Sequence, residues 1–200
     1  MSLKLHQAAS VQALTTAEAK LHLRVDHSEE DALIDMMVKA STLDAEHLMQ
    51  RAVMPQKWKL SIDEFPSCAA YRRDALGNAI DLCMPPVTAV DSLIYLDSTG
   101  ANVTLATTEY QVVIGSDNIG RIVPAFGKSW PAARYQPEAV QVIFSTGYAN
   151  AAAVPEAIKT WIALRLGALY ENRSAWTQGG AISQNEFVDR LLDRYRTITL

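Results

Sequence analysis

Leu43 to Ile62 reads LDAEHLMQRAVMPQKWKLSI, and the period of its apolar residues changes at Pro55. Up to that proline the apolar positions recur every three or four residues, as one face of a helix requires. Beyond it Trp58, Leu60 and Ile62 alternate with Lys57, Lys59 and Ser61, the period of a strand with one wet face. The chain is therefore expected to be helical before residue 55 and β after it.

Working towards the N-terminus, Leu33, Met36, Met37, Ala40, Leu43 and Leu48 keep the helical spacing, with Lys39, Asp44 and Glu46 largely on other faces. The spacing predicts a long amphipathic helix over about 28–53. Ser28 is its expected cap, Glu29, Glu30 and Asp31 favour the positive end of its dipole, Arg51 lies in the last turn and Pro55 stops it. Upstream, Thr15 and Glu18 have the spacing of a capping box, which opens a short helix through Leu23. The whole of residues 1–54 is expected to be helical.

Working towards the C-terminus, Ala79–Met84 (closed by Pro85-Pro86), Val90–Leu96, Val103–Leu105, Tyr110–Ile114, Gly120–Val123 and Ala139–Phe144 read as short strands. Asp97-Ser-Thr-Gly100 has the residues of a type I turn. So many short strands between turn residues predict a small antiparallel barrel or sandwich. Helix returns at Pro155, a residue suited to the first helical position. Ile158, Trp161, Ile162, Leu164, Leu166, Ala168, Leu169 and Tyr170 then cover nearly every face. A helix apolar all round is expected to be buried all round, by its own domain or by another subunit. Trp161, Leu164 and Leu166 are accordingly candidate protein-interface residues. After the loop 176–181, Ser183 and Glu186 form a second capping-box pattern and start a tail helix over 183–200. Phe187, Leu191 and Tyr195 line one side of it and Arg190 and Arg194 another. A helix this short needs a docking surface on its own subunit or a partner, so these five are interface candidates too.

The expected fold class is thus α+β: a helical core, 1–54 and 151–200, with a small antiparallel β domain inserted at 55–150. Composition agrees, with 200 residues, 49% hydrophobic and 20% charged. That is too apolar for a disordered chain, and no run approaches the ~18 uncharged apolar residues of a membrane span. Eighteen basic against 22 acidic residues give −4, which argues against a protein whose task is to grip phosphates. Only the last 50 residues are basic, at +1, and Asp189 and Asp193 interleave with the arginines there. Cys68 and Cys83 show no CxxC and read as free thiols, and the N-terminus lacks the apolar run of a secretion signal. The sequons at Asn102 and Asn172 therefore have no secretory context. A cytoplasmic site of synthesis is expected.

Motifs for catalysis do not emerge. Gly127-Lys128-Ser129 lacks the earlier glycine of a phosphate loop, since Ile122 stands there. His6, His22, His27 and His47 have neither i, i+4 pairing nor a cysteine partner at ligand spacing. Asp26, Glu29, Glu30 and Asp31 lack the glycine and distal glutamate of an EF-hand. No GxSxG elbow occurs, and Tyr71-Arg72-Arg73 is too small a cluster for nucleic acid. No catalytic residue, cofactor or metal is expected.

Three stretches, taken in order, resemble the head–tail connector, or adaptor, proteins of tailed bacteriophages and prophages. Leu14-Thr-Thr-Ala-Glu-Ala-Lys-Leu-His-Leu-Arg-Val-Asp26 with Glu29-Glu-Asp-Ala-Leu-Ile34 is similar to the family's opening. Pro85-Pro-Val87, Val90-Asp-Ser-Leu-Ile-Tyr95 and Asp97–Gly100 resemble the β insertion of its longer members. Phe144-Ser-Thr-Gly-Tyr148, Val154-Pro155 and Tyr170-Glu-Asn-Arg173 resemble its closing pattern. The resemblance implies a non-enzymatic virion neck protein, assembled in the bacterial host cytoplasm. It implies a ring of about a dozen copies, which docks beneath the portal protein and offers its lower face to a stopper or tail-completion protein. DNA would pass through without specific binding, and no membrane is involved. An acidic or neutral chain suits a channel along which DNA slides. Two other readings stay open on the residues alone: a small cytoplasmic enzyme or ligand-binding protein with scattered site residues, and a DNA-packaging-associated protein.

Overall fold

The structure, a computed structural model, describes residues 1–66, 78–115, 118–172 and 186–197, with only the backbone at 186, 187 and 189. Cys68, Tyr71–Arg73, the 176–181 loop, Ser183 and the Phe187 side chain lie outside the described residues. The fold is α+β, and the chain divides into two compact units: Met1–Ala9 with Pro55–Gly147, and Ser10–Met54 with Tyr148–Leu200.

The described residues of the first unit form eight strands: β1 (Ser2–Gln7), β2 (Gln56–Ile62), β3 (Ile80–Asp81), β4 (Val87–Leu96), β5 (Asn102–Thr104), β6 (Tyr110–Ile114), β7 (Gly120–Pro124) and β8 (Val140–Thr146). They make a five-stranded sheet in the order β1-β2-β8-β4-β5 and a three-stranded sheet in the order β3-β7-β6. All pairings are antiparallel. Along β8, Val140, Val142, Phe144 and Thr146 are buried while the residues between them are not, the alternation that a one-faced strand requires. Val140, Val142 and Phe144 join Leu60 and Leu93 from their own sheet and Ile80, Tyr110 and Ile122 from the other in one core. Phe65 stacks on Trp130 at 4.9 Å and meets Tyr95 edge-on. The turn at 97–100 forms as read: the Asp97 carboxylate accepts from the amides of Thr99 and Ala101, and the Gly100 N–H donates to Asp97 O at 3.0 Å. Those hydrogen bonds, that of the Thr99 hydroxyl first, hold the Asp97 carboxyl below its ordinary range. Gly100 sits at φ +89°, where a side chain would be strained.

Ser2–Gln7 corrects the all-helical reading of residues 1–54. Leu3 and Leu5 alternate with Lys4 and His6, and the segment pairs with β2 from Ser2↔Ser61 to Gln7↔Lys57.

The second unit contains α1 (Thr16–Leu23), α2 (Asp31–Met49), α3 (Glu156–Glu171) and α4 (Glu186–Asp193). The capping box is present: the Glu18 N–H donates to Thr15 Oγ1 at 3.2 Å, and the Thr15 N–H donates back to the Glu18 carboxylate at 2.7 Å. α2 differs from expectation at both ends. Ser28 does not cap it, since Glu30 is the N-cap residue. Its C-terminus comes at Met49, where Gln50 turns left-handed at φ 52°, so Arg51 lies beyond the last turn. Ile34, Val38, Ala45 and Met49 of α2 pack with Ile158, Trp161, Ile162 and Leu166 of α3 and Leu192 of α4.

Candidate interaction surfaces

The surfaces of the helical unit follow from the phase of α2. Its buried positions are Ile34, Val38, Ser41, Ala45, Glu46 and Met49. The exposed ones include Ala32, Met36, Lys39, Ala40, Leu43 and His47, with Met36 and Leu43 each 60% open to solvent. The sequence reading assigned Met36, Ala40 and Leu43 to the apolar stripe and Glu46 to another face; the structure turns these outward and Glu46 inward. Both sides of α2 carry apolar residues, so periodicity alone could not fix the phase. The chain reversal after the helix does so: Glu46 Oε1 accepts the N–H of buried Val53 at 2.7 Å. Main-chain bonds from Arg51 to Glu46 and from Gln50 to the same carbonyl close the turn. A buried carboxylate with such a partner is far cheaper than one without.

α3 is not apolar on every side. Ile158, Trp161, Ile162 and Leu166 face the core, and Glu156, Thr160, Leu164, Arg165, Ala168 and Glu171 face solvent. Of the three interface candidates here, Trp161 (3% exposed) and Leu166 (0%) are filled in by their own unit. Leu164 alone stands on the surface, at 38%. The small and polar residues between the large ones open that outer face, which a count of apolar residues missed.

Polar contacts lock the helices in place. Lys20 Nζ meets Asp31 at 2.8 Å, and the Thr16 hydroxyl donates to Asp35 at 2.7 Å. The Tyr170 hydroxyl donates to the Glu30 carboxylate, and Arg165 pairs with Asp44 at 3.0 Å. The last pair is half-exposed on both sides and contributes little on its own.

The tail is fixed to its own unit. Leu192 is fully buried, while Leu191 and Tyr195 are half-buried. Arg51 Nε donates to Tyr195 O at 3.0 Å, and the Thr197 N–H donates to Met49 O at 2.9 Å. Arg190 and Arg194 are exposed. Nearby, burial raises the Tyr148 hydroxyl above its ordinary range, and Arg51 partly offsets that.

An open depression of about 500 Å³ lies among Thr16, Ala17, Lys20, Leu21, Val25 and Asp31, and its two charged groups neutralise each other. Among the described residues no three His, Cys, Asp or Glu side chains converge as metal ligands. No described helix is long and apolar enough to cross a membrane.

No family model matches the chain, and no curated protein matches it. Solved structures do. A chain of the virion of the native gene transfer agent (GTA) particle superposes with a TM-score of 0.78 at 24% identity, covering 100% of this chain and 97% of that one. Chains from the neck of the empty GTA particle, computed with C6 symmetry, and of the native particle, computed with C12 symmetry, give 0.77 and 0.76. Both are 23% identical, with the same coverage. The likeness establishes the fold, and it runs through both units.

Proposed function

We propose that this chain is a structural subunit of the neck of a phage-like particle, acting as a head–tail connector (adaptor). About a dozen copies form a ring beneath the portal protein, continue the DNA channel and present the other face to a stopper or tail-completion protein. The observation that carries this reading is the superposition of the whole chain, at near-complete coverage of both partners, on chains from GTA virion and neck structures. C6 and C12, the symmetries of those neck structures, are those of a ring. The net charge of −4 suits a ring that lets DNA pass without holding it. In this reading the subunit has no catalytic role, needs no cofactor, contacts no membrane, and is assembled in the host cytoplasm. Leu164, Arg190 and Arg194 remain candidates for contacts with neighbours, while Trp161 and Leu166 serve the subunit's own core.

Electron microscopy of particles from a strain deleted for the gene tests the proposal. DNA-filled heads without tails are the expected product. Empty heads would move the protein to packaging, and normal tailed particles would remove it from the neck.

A further inference from the structure

The helical unit presents two unlike outer faces that fit each other. α2 shows, in order, Ala32, Met36, Ala40, Leu43 and His47. α3 shows Glu156, Thr160, Leu164, Ala168 and Glu171. Each ladder spans the same number of residues, roughly 22 Å at 1.5 Å per residue. Laid side by side in the same direction, Met36 meets Thr160, Ala40 meets Leu164, and Leu43 meets Ala168. Reversed, Met36 meets Ala168, Ala40 again meets Leu164, and Leu43 meets Thr160. Either way a large side chain of one face enters beside a small one of the other, the alternation that close helix packing needs.

Charge agrees with shape. The α2 ladder ends in His47 and holds no acid among its own residues; Lys39 flanks it on one side and Asp44, paired with Arg165, on the other. The α3 ladder has a glutamate at each end; of the two bases on that helix, Arg165 is engaged with Asp44 and Lys159 with Glu156 at 3.2 Å. In either direction His47 faces Glu156 or Glu171. Packing α2 against another α2 lacks both features: it opposes Met36 and Leu43 to one another and gathers Lys39 and His47 from both copies. The complementary faces belong to different helices of one chain, so the contact they make is heterologous and closes into a ring when the rotation allows.

We propose that the α2 face of Met36, Ala40 and Leu43 packs on the α3 face of Thr160, Leu164 and Ala168 of a second copy, and that this is the subunit contact of the ring. The inference rests on the connector reading above and names the surface that reading needs.

Disulfide trapping in purified particles tests it, because Ala40 opposes Leu164 in both directions. In a Cys68→Ser, Cys83→Ser background, Ala40→Cys with Leu164→Cys is expected to give, after mild oxidation, a ladder of multimers beyond the dimer. Leu21→Cys with Leu164→Cys gives none, since Leu21 is 81% exposed on α1 and outside both faces. Monomer alone from particles whose necks contain the chain overturns the contact and leaves the connector reading standing. Dimer from Ala40→Cys alone overturns it in favour of like faces. Necks lacking the chain overturn both. Leu43→Asp is the companion variant: the purified chain is expected to melt as the wild type does, because this side chain is already exposed, yet enter particles at least tenfold less. Wild-type incorporation of that variant also refutes the contact.

Discussion

Leu192→Ala is the sharpest test of how the tail is held. Leu192 is wholly buried, and α4 spans only Glu186–Asp193, too short to persist without its docking site. Among the described side chains its hold consists of Leu192, the partly buried Val188, Leu191 and Tyr195, and the hydrogen bonds from Arg51 to Tyr195 O and from Thr197 to Met49 O. Truncating a fully buried leucine costs about 3 kcal/mol, whereas each of those hydrogen bonds is worth about 1 kcal/mol net. Leu192 is thus the largest single contribution. Its loss is expected to raise the opening of the tail by roughly 150-fold, at tenfold per 1.4 kcal/mol. Amide hydrogen exchange reads this directly. Protection should fall by about two decades at Val188–Thr197, including the Thr197 amide, and stay near wild type at Ile34–Met49 and Ile158–Leu166. An equal loss in α2 and α3 would refute the reasoning, because the tail would then be inseparable from the core. So would a tail with unchanged protection.

Four further outcomes are expected. Glu46→Ala strands the Val53 N–H and should lower unfolding stability by roughly 1.5–3 kcal/mol, with Glu46→Gln milder, as read by urea denaturation. Gly120→Ala places its Cβ 2.8 Å from Val87 Cγ1 and 3.1 Å from Leu82 Cδ1. It should cost about 1–3 kcal/mol, and Val87→Ala should recover part of that, so that the double variant is more stable than the sum of the singles. Glu138 is held below its ordinary range, first by the Ser2 hydroxyl at 3.0 Å and then by Lys4. Its share of stability is present above the unfolded value and lost as pH falls through the folded one, so β1 should loosen on acidification. Ser2→Ala should move the Glu138 midpoint upward in an NMR titration, and an unmoved midpoint contradicts the assignment. Arg190→Glu with Arg194→Glu, both on the surface, should leave the melt within about 0.5 kcal/mol of wild type while reducing the joining of heads to tails, counted by microscopy.

Local signals carried the fold where the structure obeys a local rule. Thr15 and Glu18 cap each other within one turn, and the alternation along Val140–Thr146 is that of its burial. Other features depend on distant partners. The strand at Ser2–Gln7 has only Leu3 and Leu5 as apolar residues, and its hydrogen bonds come from a strand more than fifty residues later. α2 has an apolar residue on almost any face, so its inward side was decided by Glu46 and Val53, a contact that no periodicity reports. The same holds for the candidate surface. Met36, Ala40 and Leu43 were legible as a stripe, but their outward direction was not. Trp161 and Leu166 look like surplus apolar residues until the α2 and α4 side chains that cover them are in place.

The path of the chain between its units bears on how a subunit is made. The polypeptide visits the β unit with Ser2–Gln7, the helical unit with α1 and α2, the β unit again with β2 to β8, and the helical unit again with α3 and α4. During synthesis at the ribosome β1 is therefore released before any strand it can pair with. α1 and α2 then wait for about 100 residues with Ile34, Val38 and Met49 uncovered, because closure of a loop that long must precede the contacts that reward it. A translation product that stops within the β segment owns neither a closed helical unit nor an α3 to offer a neighbour. For the ring subunit proposed above, interleaving the two units in this way would couple completion of the chain to competence for assembly, so that a fragment would be excluded by its own unfinished topology.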